Sequence, residues 1–284
     1  MSMIKKTGCF LCFCIFFSCQ NFGQLKVIAD LTKKLEEVSG NEYEMKSDLI
    51  WMINDGGNEP KMYGFTKGGK LKKVIYVNAK NKDWEDISSD DKGNIYIGDF
   101  GNNDNERKKL KIYKVDKKYL DKETAEVEEI EFEYEDQEKH PPKKKKRFFD
   151  AESFFYYNNH FYIFTKSRVK KEYGKTSLYK VPAVAGKHKA KFIAEFDNGS
   201  KDESWITSAD ISFNKKKVVL LSQKNILVFT DFNDDNFFSG SVKKYPLEHF
   251  SQKEGICFKT NNVVYITDER SGGEGGNLYE FTLN

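Results

Sequence analysis

The sequence is poor in cysteine where a folded domain would use it. Four of its five cysteines fall within the first 19 residues, which leaves Cys257 alone in the rest of the chain. A single cysteine cannot form an intrachain disulfide, so stability must come from core burial or from a bound metal. The four histidines show no spacing typical of a metal site, which argues against zinc.

An excess of charge of one sign is also missing. The chain contains 47 Lys and Arg residues against 44 Asp and Glu residues, for a formal net charge of +3. Nucleic-acid binding usually shows a clear basic excess, so we expect no nucleic-acid partner. Beyond the N-terminal region no apolar run is long enough to cross a bilayer, and we predict no transmembrane segment. We expect a monomer whose partner is a small anionic ligand or another protein.

The N-terminus has the features of an export signal. Lys5 and Lys6 precede an apolar run over residues 8–17, which is too short to span a bilayer but typical of a signal-peptide core. Cleavage after Gly23 would leave a soluble chain, whereas the lipobox-like residues 16–19 would leave a lipid on Cys19. Since strand-like sequence begins almost at once after Gly23, we favour simple cleavage. We predict a signal peptide over residues 1–23, one domain over residues 24–284, and a secreted, periplasmic or cell-surface protein.

A five-fold repeat dominates the rest of the sequence. Each unit opens with an acidic or small residue beside apolar residues, continues into a β-rich run, and closes with a second run, mostly around tyrosine. We call the opening residue the marker, and the five markers are Ser39, Glu85, Glu152, Ala209 and Glu254. The repeat length resembles that of a propeller blade, roughly 40–50 residues. A proline- and lysine-rich segment over residues 135–147 lengthens one interval and is interpreted as an exposed insertion.

Two regularities support the repeat, and the first of them also indicates a closed ring. The distance from Glu254 to the C-terminus, continued from Gln24 to Ser39, equals an ordinary repeat. The distance from the marker to the end of the second β-run is the same in four units, namely Glu85–Asp99, Glu152–Lys166, Ala209–Gln223 and Glu254–Asp268. We therefore predict an all-β, five-bladed β-propeller, with six blades as the alternative. Residues 25–29 should supply the outer strand of the last blade. A β-sandwich would not explain the closure.

The repeat also predicts where carboxylates gather. The innermost strand of each blade lines the central channel, and alternate residues of a strand share a face. The markers should therefore face one mouth of the channel, joined by the residues that end the second strands. Several acids facing one narrow channel need a counter-charge. Oxygen ligands without histidine or thiolate favour Ca²⁺, and Mg²⁺ is less suitable.

Parts of this pattern resemble known families. Residues 37–40, 53–56 and 83–87 resemble bacterial secreted propellers related to the SdiA-regulated and phytase/esterase-like groups. The marker ring is also similar to that of the soluble calcium-activated nucleotidases (apyrases), five-bladed propellers whose central calcium is held by serine and glutamate. In that pattern blade four supplies a serine, whereas Ala209 is aligned here with Ser208 beside it. The resemblance implies a central calcium held by Ser39, Glu85, Glu152, Ser208 and Glu254.

The same mouth should carry basic residues. Lys166, Arg168 and Arg270 beside a hard cation would suit a phosphate or a phosphate ester. The candidates for a catalytic role are Asp55, Asp99, Lys166, Arg168, Asp268 and Arg270. No nucleophile–base pair is recognisable in the sequence, which favours binding. The first hypothesis is thus a secreted calcium-binding propeller that recognises a ligand or partner. The alternative is a calcium-dependent hydrolase of phosphate esters or nucleotides, and the sequence leaves enzymatic activity open.

Overall fold

A computed structural model describes residues 22–284, so the predicted signal core and Cys19 lie outside the described residues. The described part is built of β-strands, and the all-β prediction is confirmed. Its helical segments are short 3₁₀ turns at Lys33–Leu35, Lys117–Tyr119, Lys144–Lys146, Asp202–Ser204 and Phe237–Ser239. None of the described helices is long and apolar enough to cross a membrane.

Four-stranded antiparallel units repeat along the chain, each running from an innermost to an outermost strand. The strand β1 (Lys26–Asp30) precedes them. The first unit consists of β2 (Val38–Glu44), β3 (Leu49–Asn54), β4 (Lys61–Phe65) and β5 (Leu71–Val77). The second consists of β6 (Trp84–Ser89), β7 (Ile95–Asp99), β8 (Leu110–Val115) and β10 (Val127–Tyr134), while the short β9 (Thr124–Ala125) pairs with β5.

The remaining units follow the same plan. The third contains β11 (Asp150–Tyr157), β12 (His160–Lys166), β13 (Lys175–Pro182) and β14 (Gly186–Asp197). The fourth contains β15 (Ser208–Ile211), β16 (Val218–Leu221), β17 (Asn225–Thr230) and β18 (Ser241–Pro246). The last contains β19 (Lys253–Thr260), β20 (Val263–Asp268) and β21 (Asn277–Thr282), with β1 as its fourth strand.

The units close into a ring. The innermost strands β2, β6, β11, β15 and β19 contact one another in that order, and β19 returns to β2. The N-terminal β1 pairs antiparallel with β21, with Lys26 opposite Glu280, so the predicted closure by the N-terminal strand is confirmed. A radial arrangement of four-stranded sheets around a channel is the β-propeller architecture.

Large apolar side chains fill the spaces between adjacent blades. Trp51 and Trp84 are fully buried in one cluster between the first and second blades. Phe154 and Phe161 lie in the next cluster along the ring. Truncating a fully buried aromatic of this kind typically costs about 3–5 kcal/mol. The second and third blades are further joined by parallel pairing of β10 with β14, which gives one continuous eight-stranded sheet.

Four innermost strands begin with a β-bulge. Their pairing register shifts by one residue at Ser39, Glu85, Glu152 and Glu254. A bulged residue has no partner in the ladder, and the bend at a bulge re-aims its side chain. Four of the five sequence markers are therefore bulge residues at the mouth of the channel. β15 has no such shift, since Ser208 pairs with Leu221 and Ala209 with Leu220.

Candidate functional site

Three carboxylates come together at the bulge-lined mouth. Asp55 follows β3, Asp83 precedes β6, and Glu85 is the bulge residue of β6. Each offers an oxygen within 4.8 Å of the oxygens offered by the other two. Oxygens on opposite sides of one calcium ion lie about 4.8 Å apart, because each Ca–O distance is about 2.4 Å. The spacing therefore fits a single hard cation.

Two glycines make room for this cluster. A Cβ added to Gly101 would lie 2.0 Å from Oε1 of Glu85 and 2.5 Å from Cγ of Asp83. A Cβ added to Gly56 would lie 2.6 Å from Oδ1 of Asp83. Any larger residue at either position would displace a carboxylate, so these glycines are needed for the close approach of backbone to the site.

Burial and mutual repulsion perturb the acids at the mouth. Burial, followed by the charges of Glu152 and Asp55, raises the pKa of Glu85 well above its usual range. Burial is also the main reason that the pKa of Asp55 rises to about 6, with Asp83 a smaller cause. Burial raises the pKa values of Glu254 and Glu269 to about 8 and about 7, and the charges of Asp55 and Glu152 contribute to both increases. The mouth thus holds more negative charge than the fold compensates.

Hydrogen-bond donors are scarce at this cluster. Within the described part of the chain, no hydrogen bond reaches the carboxylates of Asp83, Glu85, Glu254 or Glu269. Arg107 lies 3.9 Å from Asp83, but its guanidinium is paired at 2.9 Å with Asp99. The hydroxyl oxygen of Ser39 is buried at the equivalent bulge and has no hydrogen-bond partner within residues 22–284. A buried hydroxyl without a partner is costly, and a bound ligand would satisfy it.

The third blade contributes a different arrangement. Lys166 and Arg168 each approach one oxygen of Glu152 at 3.0 Å, and Arg168 also approaches Asp150 at 2.5 Å. Burial opposes ionisation of Glu152, but these two cations hold its pKa below the usual value. Both cations also lie 5.2 Å from the ring centre of Trp205. Glu152 is thus already neutralised, and it could bind a metal only by giving up these ion pairs.

Asp99 and Asp268 do not join the cluster, contrary to expectation. Asp99 accepts from the Tyr113 hydroxyl at 3.2 Å as well as from Arg107. Asp268 accepts from the Tyr279 hydroxyl at 2.8 Å. Each side chain shares one face of its sheet with that tyrosine of the third strand, and the next residue along the chain points to the opposite face. Burial and then the charges of Asp55 and Glu37 raise the pKa of the following residue in the last blade, Glu269, which was not among the predicted site residues.

Two further predicted residues also lie elsewhere. The Arg270 guanidinium bonds the Asp30 carboxylate and the Leu31 carbonyl, so it fastens the end of β1 to the loop after β20. The Ser208 hydroxyl lies 3.3 Å from Asp86, deeper in the channel than the bulges, and accepts from the Ile256 amide at 3.1 Å. Ser208 is therefore engaged in linking innermost strands rather than facing the mouth.

The blade-four marker is Thr207 rather than Ala209. Asp86 accepts from the Phe154 amide of the next blade, as Ser208 does from Ile256, so Asp86 and Ser208 are equivalent positions. The residues before them, Glu85 and Thr207, are equivalent too. Ala209 instead packs in an apolar cluster between blades. The fixed distance between marker and second strand predicted Ala209, but the turn between the first and second strands differs in length from blade to blade.

The comparisons with known proteins agree with this architecture. The sequence matches no protein-family model and no curated protein. Among solved structures, a gluconolactonase from Xanthomonas campestris is similar with a TM-score of 0.53 at 10% identity, over 92% of this chain and 89% of that chain. A luciferin-regenerating enzyme is similar with a TM-score of 0.50 at 10% identity, over 91% and 94% of the two chains. The chain is thus a β-propeller, similar in fold to the gluconolactonase-like propellers. Identities this low show the fold alone.

Proposed function

We propose that the protein is a secreted calcium-binding β-propeller that recognises a ligand or partner at its channel mouth. The observation that carries this proposal is the convergence of Asp55, Asp83 and Glu85 oxygens within 4.8 Å. Arg107 lies 3.9 Å from Asp83 but is paired with Asp99 at 2.9 Å. The buried, unpartnered hydroxyl of Ser39 supports it independently. The predicted ligand set changes accordingly, since Ser39 and Glu85 are kept while Asp55 and Asp83 take the places of Glu152 and Ser208. Glu254 lies beside this set as a further acid.

The donor chemistry favours calcium over other metals. All the candidate ligands are carboxylate or hydroxyl oxygens, which hard cations prefer. Calcium takes 6–8 oxygen ligands in flexible geometry, whereas magnesium demands near-ideal octahedral geometry. The single cysteine of the folded part, Cys257, is fully buried in a β-strand and is not near these acids. Three carboxylates and one hydroxyl would leave calcium positions for water or for a ligand from solution.

The bound ion itself would supply the attraction for an anionic ligand. Lys166 and Arg168 were expected to bind a phosphate, but Glu152 and Asp150 already neutralise them. A ligand that used these bases would have to displace buried carboxylates. A ligand that completes the coordination of the cation would leave these ion pairs intact.

A calcium-dependent hydrolase is the second candidate. Glu254 and Glu269 lie beside the cluster, and burial raises their pKa values to about 8 and about 7, in the range that suits a general acid or base near neutral pH. The apyrase-like marker ring makes phosphate esters and nucleotides the first substrates to assay. Because the fold is similar to that of a gluconolactonase, lactones should be assayed as well.

One experiment tests the binding proposal and separates it from the hydrolase. Thermal unfolding of residues 24–284 is followed with calcium and with EDTA, and the same samples are assayed against nucleotides, phosphate esters and lactones. A calcium-dependent melting temperature without turnover supports the binding propeller. A calcium-dependent melting temperature with calcium-dependent turnover supports the hydrolase. Equal melting temperatures in calcium and EDTA would reject the cation site.

A further inference from the structure

A second charged site lies on the third blade, at the face opposite the mouth. An open cavity of about 430 Å³ is formed where β12 and β14 begin and β13 ends. The chain reaches this face by the β11–β12 hairpin, so the cavity is separated from the bulge residues by the length of the strands. The cavity is lined by one proline and by basic or imidazole side chains, namely His160, Lys180, Lys187, His188, Lys189 and Lys191. Among the described residues, no acid lines it.

The strand register concentrates positive charge here. Lys187, Lys189 and Lys191 alternate along β14, so their side chains share one face of the sheet. On the neighbouring strand, Lys180 lies directly opposite Lys191 in the antiparallel register. Like charges directly opposite each other destabilise a sheet. Because Lys180 also pairs with Asp235, an anion bound here would chiefly offset the charge of Lys191.

Only part of this charge is compensated within the protein. Lys180 pairs with Asp235 at 2.5 Å, and Lys189 pairs with Glu133 at 2.8 Å. In the part of the chain that the structure describes, Lys187 and Lys191 have no ion pair. Glu131 of β10 lies opposite Lys187 in the parallel register but pairs with Lys109 at 3.4 Å. The ammonium groups of Lys187 and Lys191 can therefore contact a ligand.

The histidines add further polar groups. Nδ1 of His160 lies 2.9 Å from the Asn158 carbonyl, and Nε2 of His188 lies 2.7 Å from the Val184 carbonyl. Because a carbonyl can only accept, each of these ring nitrogens carries a proton. The contacts hold both rings in place. His160 is opposite Pro182 and so lies on the lysine-bearing face of the sheet, where its Nε2 is left for a ligand, whereas His188 alternates to the other face of β14.

We propose that this cavity binds a phosphate group. Two unpaired lysines match a phosphate monoester, which carries about −1.5 to −2 charges near neutral pH. Lysine ammonium groups form charge-assisted hydrogen bonds to phosphate oxygens. The volume lies within the range of about 300–1,000 Å³ typical of small-molecule sites, so the phosphate has room for an attached group. The site is independent of the cation proposed at the mouth.

The test uses the chain of residues 24–284 in EDTA, so that no metal at the mouth can bind phosphate. Binding of inorganic phosphate is measured by calorimetry, and binding to vesicles with and without phosphatidic acid is measured by sedimentation. The K187Q/K191Q variant removes the two unpaired lysines. The control variant K122Q/K216Q removes two exposed lysines outside the cavity lining, so both variants have the same net charge.

We expect K187Q/K191Q to weaken phosphate binding by about tenfold or more, since each lost charge-assisted hydrogen bond contributes strongly. The control variant should bind like the wild type. Binding of free phosphate assigns a soluble ligand, and binding only to phosphatidic acid vesicles with the same lysine dependence assigns a lipid headgroup. Absence of both, or equal weakening in the control variant, would overturn the proposal.

Discussion

Two groups of carboxylates line the same channel, and the fold treats them differently. The upper group at the mouth comprises Asp55, Asp83 and Glu85. The lower group, further along the innermost strands, comprises Glu42, Asp86 and Asp210, all of which are buried. Burial raises the pKa of members of both groups. The groups differ in the donors that the protein offers them.

The lower carboxylates join neighbouring innermost strands. Asp86 of β6 accepts from the Phe154 amide of β11 at 3.2 Å. Asp210 of β15 accepts from the Phe258 amide of β19 at 2.7 Å. The innermost strand of a blade has an edge without a partner strand, and its amides need other acceptors. These carboxylates supply them, so the lower group has a structural role.

The upper carboxylates have no such role. Glu85 and Asp83 accept no hydrogen bond from the described residues, and Asp55 accepts one from the adjacent Gly56 amide. Burying a charged carboxylate is costly unless a cation or a hydrogen-bond donor compensates it. The described residues provide no such partner for Glu85. Acids that accept hydrogen bonds from neighbouring strands therefore stabilise the ring, whereas acids at a bulge that accept few or none indicate a site for a ligand.

The largest effect should come from the lower group. Asp86→Ala removes the acceptor of two amides and of the Ser208 hydroxyl. Each buried donor left unpaired costs about 1–3 kcal/mol, so we expect a loss of roughly 3 kcal/mol in the free energy of unfolding. Urea denaturation should show the same loss in calcium and in EDTA. The control Asp91→Ala changes an acid whose side chain is 84% exposed and should cost little. A loss seen only in calcium would contradict the division into two groups.

The next effect concerns the upper group. Glu85→Gln removes one carboxylate ligand, and because affinity follows ligand charge, calcium should bind at least about tenfold more weakly by calorimetry. In EDTA the same variant should be at least as stable as the wild type, because an uncompensated buried charge is gone. Glu59→Gln, at a 69% exposed side chain, should change neither quantity. Destabilisation of Glu85→Gln in EDTA would show that Glu85 is a structural acid like Asp86.

The pH dependence of stability should reveal the lower group. Burial raises the pKa of Asp210 to about 7, and burial together with Asp210 raises that of Glu42. The folded state then holds protons that the unfolded chain releases near pH 4, so stability is full below that pH and is lost as pH rises towards about 7. In saturating calcium, the free energy of unfolding should fall by more than about 1 kcal/mol between pH 4.5 and 7.5.

Asp210→Asn should flatten this profile, although it lowers stability at every pH by removing an acceptor for the Phe258 or Ile211 amide. An unchanged slope in the variant would assign the pH dependence to other groups. The measurement is urea denaturation at a series of pH values, with calcium held constant so that the mouth is the same in both proteins.

The smallest effect is expected at Ser39. Its hydroxyl has no hydrogen-bond partner among the described residues, so Ser39→Ala should leave stability in EDTA within about 0.5 kcal/mol of the wild type. Calcium affinity should fall a few-fold if the hydroxyl is a ligand. The matched variant Ser208→Ala, which loses contacts to Asp86 and Ile256, should instead lower stability without changing calcium affinity. Reversed behaviour of the two serines would place the ion deeper in the channel.

Much of the fold could be predicted because the blade is a repeated local pattern. The markers, the β-runs and the closure by residues 25–29 follow from spacing, and four markers proved to be bulge residues. The site was predicted less well because a strand presents alternate faces. In the last blade the repeat predicted Asp268, and the residue at the mouth is the next one, Glu269. In the fourth blade it predicted Ala209, and the equivalent residue lies two positions earlier, at Thr207. Turn lengths set these registers, and the pattern of apolar residues does not report them.

The all-β ring with acids repeated at its inner strands follows from the order of residues along the chain, because strand periodicity and blade length are local properties. Which of these acids are paired with a cation or a hydrogen-bond donor depends on the folded ring. Glu152 and Glu85 occupy the same bulge position, yet Lys166 and Arg168 each lie 3.0 Å from Glu152, whereas no ion pair or hydrogen bond from residues 22–284 reaches Glu85. A carboxylate is compensated only when the fold brings a cation or donor close to it from another strand or loop, and this proximity arises when the ring closes.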